Sequence, residues 1–150
     1  MNKKIFLISF LFILFQLQSQ VKDLGEPLSW TTKQVTFQSV PKIVLPNFNL
    51  SDQLSSDSSY YSGEMKPFKF GKEYDVDINF FESSKVFNLN EGVLRLIEIN
   101  SKNAVSINLI FDQFYLEKGS YLYLHNKSYN FYIGAYTSEN NNSQNILGTD

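Results

Sequence analysis

The chain has 150 residues with 13 basic and 15 acidic side chains, 14 Phe, 9 Tyr and no cysteine. Its mild negative charge and scattered basic residues argue against a nucleic-acid partner, which calls for a basic patch or stripe, and the lack of cysteine excludes a disulfide framework and thiol chemistry. So much aromatic area with so few charges predicts a packed core over most of the length.

Residues 1–20 read as a secretory signal: Lys3 and Lys4 form a charged start, and Ile5 to Phe15 is apolar apart from Ser9. That run is shorter than the roughly 20 apolar residues a spanning helix needs, so removal near Ser19 is expected rather than anchoring. The remaining chain then carries 11 basic residues against 15 acidic, a net charge of −4. The expectation is a secreted or cell-surface product with no membrane attachment after processing.

Residues 21–65 read as an extended arm followed by a Ser/Asp-rich linker. Pro41 and Pro46 remove ladder donors, and the run from Ser51 to Ser62 has no period, which leaves one short strand at Lys33–Val40. Residues 66–150 read as a β domain. In "YDVDINF", Tyr74, Val76, Ile78 and Phe80 alternate with Asp75, Asp77 and Asn79, as in a half-buried strand. "GVLRLIEIN" at 92–100 suits a central strand; "AVSINLIFDQF" at 104–114, "SYLYLHN" at 120–126 and "YNFYIGAYT" at 129–137 continue the pattern, with short polar turns between. The fold class expected is all-β, an antiparallel β-sandwich of jelly-roll type. Ile146–Leu147 opens one more apolar stretch close to the last residue, so the sandwich is expected to be incomplete at the C-terminus.

Candidate chemistry is sparse. Asp75, Asp77 and Asn79 imitate the opening of a calcium loop, but Phe80 and Val86 stand where Gly and Glu are required. His125, the single histidine, would act as a general base only beside a nucleophile and an orienting acid, and no serine lies in a Gly-x-Ser-x-Gly setting. One histidine cannot build a multi-histidine metal site. Glu91, Glu98, Asp112 and Glu117 fall at strand ends or turns, where carboxylates ordinarily meet water rather than face each other across a cleft. No catalytic residue, cofactor or metal is therefore expected. Of the tyrosines, Tyr121, Tyr123 and Tyr132 are the candidate ligand or partner surface, because exposed aromatic faces on a β-sandwich stack on sugar rings or pack against another domain.

Five segments in order carry a family resemblance: "GEPLSW" at 25–30, "LPNFNLSDQL" at 45–54, "KPFKFGKEYDVDIN" at 66–79, "LIFDQFYLEKGSYLYLHN" at 109–126 and "IGAYTSENNN" at 133–142. Together they resemble the N-terminal region of bacterial secreted trypsin-like serine endopeptidases of the lysyl endopeptidase type. Phe111, Phe114, Leu116, Gly119, Leu122, Leu124 and Asn126 match the family's hairpin pattern as they stand. The resemblance implies a non-catalytic leader or pro-region whose partner is a protease domain in cis, with the catalytic Ser, His and Asp beyond Asp150 and none carried over. The alternative is a stand-alone secreted β-sandwich module binding polysaccharide or another surface ligand through its tyrosines.

Overall fold

A computed structural model describes residues 21–47, 49, 51, 55 and 71–149; the expected signal at 1–20 and most of the Ser/Asp-rich linker lie outside the described residues. The architecture is β-rich: among the described residues, eight short strands form four two-stranded sheets, with helical turns of three or four residues between some of them. Two compact units divide the chain, one of Met1–Thr31 with Asn108–Asp150 and one of Thr32–Ile107.

In the second unit, β1 (Lys42–Val44) pairs in parallel with β4 (Glu98–Asn100). The register sets Lys42 beside Glu98, and their side chains form an ion pair at 3.0 Å. The strand expected at Lys33–Val40 is not formed. There, Ser39 N–H bonds back to the Thr36 carbonyl and Ser39 Oγ does the same, closing a 3-10 turn at Phe37–Ser39. Such local bonds compete with a ladder, and extended pairing starts only after Pro41.

β2 (Lys85–Leu89) and β3 (Gly92–Leu96) form an antiparallel hairpin around the two-residue loop Asn90–Glu91. The expected strand 74–80 is also corrected: residues 72–79 make no ladder, and Phe80 opens a helical turn, Phe80–Ser83. Asn79 is the cause, since its Oδ1 accepts from the Phe81 and Glu82 N–H groups as a helix N-cap. Asn79 with Glu82 three positions on is a helix-start signal that the alternating pattern obscured. Arg95 on β3 donates to the Phe81 carbonyl at 3.0 Å and lies 5.2 Å from the Phe81 ring, which ties this turn to the hairpin.

In the first unit, β5 (Ile110–Phe111) pairs with β8 (Leu147–Gly148), and the contact continues through Thr149 N–H to the Leu109 carbonyl and Phe114 N–H to the Asn145 carbonyl. The stretch 104–114 thus contributes two strand residues rather than eleven. β6 (Leu122–His125) pairs with β7 (Tyr132–Tyr136), with a register shift between Leu122 and Leu124. The core sits here, formed by Phe114, Ala135, Tyr136 and the fully buried Pro27, with Thr137 and Thr149 beside them.

Asparagine amides hold the connecting loops. Asn126 bonds to Asn130 twice across the β6–β7 turn, Asn140 accepts from Thr137 N–H in a reciprocal cap, and Asn141 both accepts from Leu116 N–H and donates to its carbonyl. Asn142 closes the following turn onto Gln144 and Ile146.

Gly134 on β7 has φ +132°, and a Cβ there would stand 2.7 Å from the Leu122 carbonyl oxygen and 2.8 Å from the Tyr123 ring. Gly134→Ala is therefore expected to cost about 2 kcal/mol or more in urea unfolding, from combined backbone strain and overlap. Gly148→Ala, with open space around the new methyl, is expected to stay within about 0.5 kcal/mol of the parent.

Candidate functional site

The site is built where residues 21–31, here called the strap, meet β6 and β7. Asp23 Oδ1 accepts from Gly25 N–H at 3.2 Å, and Gly25 takes φ +84°, which bends the chain before Pro27. Pro27 accepts from Trp30 N–H at 2.8 Å, closing the one-turn helix Leu28–Thr31. Upstream of the bend, Lys22 exchanges both backbone hydrogen bonds with Ala135, at 3.2 and 2.9 Å, so the strap adds an edge contact to β7. The Lys22–Glu139 ion pair next to it is exposed and adds little.

That helical turn brings two side chains to His125. Ser29, only 3% exposed, has its Oγ 3.0 Å from His125 Nε2, a contact across 96 positions of sequence. His125 Nδ1 lies 3.1 Å from the Asn126 carbonyl oxygen. A carbonyl can only accept, so in the neutral ring Nδ1 carries the proton and Nε2 receives the Ser29 hydroxyl. The Trp30 indole meets His125, Tyr129 and Tyr132 edge to face, with centroids 5.5, 5.7 and 5.4 Å away. The His125 ring also stacks on Tyr129, at 6.3 Å.

The Ser29–His125 polarity is that of a nucleophile and its base, but the surroundings differ from a catalytic pair. The Nδ1 contact is a neutral carbonyl rather than a carboxylate, and the burial of Ser29 closes Oγ to a substrate carbonyl. What this geometry supplies is a clamp. Buried Ser29 is satisfied by one hydrogen bond, and Trp30 contributes apolar area and three edge-on ring contacts, each worth about 0.5–1.5 kcal/mol. Trp30 Nε1 is buried without an acceptor, a cost that these ring contacts must offset.

Of the three tyrosines singled out from sequence, Tyr123 and Tyr132 come together with ring centroids 6.1 Å apart, and Tyr132 is half-buried under Trp30. Tyr121 is 58% exposed. Burial raises the Tyr123 phenol above its ordinary value, and Tyr132, Tyr121 and Asp23 raise it further. The candidate surface is thus partly used in holding the strap, and Tyr121 is its open member. Sequence reasoning found His125 and the tyrosines but not Ser29 and Trp30 as their partners; the lone Trp in "GEPLSW" was the available signal. Among the described residues no cluster of three or more His, Cys, Asp or Glu could hold a metal ion.

In a double-mutant cycle, Ser29→Ala and His125→Ala are expected to couple by about 0.5–1.5 kcal/mol in urea unfolding followed by Trp30 fluorescence. Tyr123 gives a pH dependence of definite sign. A phenol raised by folding leaves stability intact below its unfolded pKa of about 10 and removes it as pH climbs through the folded value. Tyr123→Phe should therefore flatten the alkaline loss of stability, measured as urea midpoints between about pH 9 and 11.

Comparison with protein-family models, with curated proteins and with solved structures finds no match for this chain.

Proposed function

We propose that the chain is the non-catalytic, pro-region-like N-terminal part of an exported trypsin-like serine endopeptidase, a module of β-sandwich, jelly-roll-like character that binds the peptidase domain in cis. Its work there is to assist folding of that domain or to mask its cleft until removal. The observation that supports this reading is the convergence of the resemblance. "GEPLSW", "LIFDQFYLEKGSYLYLHN" and "IGAYTSENNN", far apart in sequence, supply the strap, β5–β6 and β7 with its asparagine loop, all within one unit. Segments shared for a folding reason are expected to meet in this way; the Ser29–His125 pair joins the first two directly, and Lys22, three positions before the first, pairs with Ala135 of the third.

A second reading, a stand-alone module for polysaccharide, draws on Tyr121, which is 58% exposed beside the Tyr123–Tyr132 pair. Co-expression in trans separates the two. With a lysyl-type peptidase domain, the chain should raise the yield of active enzyme or inhibit the purified one, and Trp30→Ala should weaken the effect. No effect on either, together with Tyr121-dependent retardation in polysaccharide-containing native gels, would replace the first reading by the second.

A further inference from the structure

In the second unit, β3 and β4 are parted by the single residue Ile97, and both use the same side of the chain for pairing. The hairpin around Asn90–Glu91 closes at the pair Leu89–Gly92, which in a two-residue hairpin exchanges both of its hydrogen bonds. Alternation then turns the N–H and C=O groups of Gly92, Leu94 and Leu96 toward β2. In β4 the even-numbered residues again face the partner: Glu98 N–H bonds to the Pro41 carbonyl, and Leu45 N–H bonds to the Asn100 carbonyl. The backbone groups of Val93, Arg95, Ile97 and Ile99 therefore point the other way. Among the described residues no hydrogen bond reaches them.

This edge differs from the others. β1 carries Lys42 and lies between Pro41 and Pro46; β2 opens on Lys85 and turns only Val86 and Asn88 outward. β5 and β8 have two residues each, β6 has a register shift, and Lys22 occupies the outer side of β7. Lysine, proline, brevity and irregular register are the usual means by which an edge resists pairing. Residues 92–100 have no lysine, proline or register shift, and Val93 is 66% exposed. The two charges of the stretch are opposite and already engaged, Arg95 with the Phe81 carbonyl and Glu98 with Lys42.

We propose that the open edge of residues 92–100 pairs with the same edge of a second copy of this chain, antiparallel about a two-fold axis at Leu96. In that register Val93 faces Ile99 of the other molecule and Arg95 faces Ile97, so all four outward residues meet outward residues. Each copy then offers four donors to four acceptors. An axis at Arg95 would instead set two like charges directly opposite each other, a destabilising pair. A second copy is the occupant because the arrangement closes. It consumes the open edge of both molecules and leaves only edges that resist pairing, so a dimer forms rather than a growing sheet. The electrically neutral stretch also sets no net charge against itself. This association does not depend on whether a peptidase domain accompanies the chain.

The test is sedimentation velocity on the purified full chain as a function of concentration, in which a monomer should give way to a dimer below about 1 mM. Val93→Pro and Ile99→Pro each remove an outward N–H that neither ladder uses, the setting in which an edge strand tolerates proline. Each should weaken dimerisation at least about tenfold while circular dichroism of the dilute protein stays that of the parent. Val86→Pro, which removes an outward N–H from β2, should leave the dimer unchanged. If a proline variant loses the parent's circular dichroism, Val93→Lys replaces it, since its side chain lies at an exposed position, and should weaken the dimer in the same direction. A dimer that persists in the folded edge variants, or that is lost equally in Val86→Pro, would overturn the assignment. So would a chain that stays monomeric up to about 1 mM, the result expected if the edge instead serves a foreign strand.

Discussion

Docking of residues 21–31 against β6 and β7 is the interaction on which the first unit depends. Among the described residues little else there is deeply buried, and Pro27 and Ser29 in the strap are as enclosed as Phe114, Ala135 and Tyr136 on the other side. The indole of Trp30 fills a space bounded by His125, Tyr129 and Tyr132, which sit on or beside the β6–β7 turn. A two-stranded ribbon is marginal alone in water. The strap therefore supplies both an apolar cover and an additional backbone pair, and a segment at the start of the described chain completes a core whose other half is more than eighty residues away.

Polar side chains do much of the remaining work. Asn79 starts a helix, Asn126 and Asn130 set a hairpin turn, and Asn140, Asn141 and Asn142 fix three successive contacts after β7. Each amide offers both donor and acceptor, so a loop can satisfy its backbone without a ladder. Strands of two to five residues then suffice. The cost is aromatic area left in water at Phe81, Tyr115, Tyr121 and Phe131, which a larger sheet would have covered.

Legibility followed from how local the determining interaction was. β6 and β7 fall within stretches whose alternation predicts strand, whereas the continuously apolar 92–100, expected as one central strand, divides into β3 and β4, each in its own two-stranded sheet; the polar turns were readable because Asn and Gly mark them. The stretch 74–80 has as regular a pattern, yet the cap formed by Asn79 outweighs it, and at 104–114 alternation has no partner strand beyond two residues of β8. Periodicity states which face could be buried; it does not state whether a neighbour exists to bury it. β2 gave too brief a signal after two serines. The Ser29–His125 contact was out of reach for a different reason: nothing in either local sequence specifies a pairing across 96 positions, and only the folded strap brings them together.

The Lys22–Ala135 exchange has a bearing on association as well as on stability. Ala135 is wholly buried, and its outward backbone N–H and C=O are occupied by the strap. With the strap withdrawn, β7 would present bare pairing groups in the apolar sequence Tyr132–Tyr136, and an uncovered edge of that kind recruits strands from other molecules. The first residues of the described chain thus act as a guard against aggregation, and a shortened version that still folds would be expected to self-associate more readily than the parent.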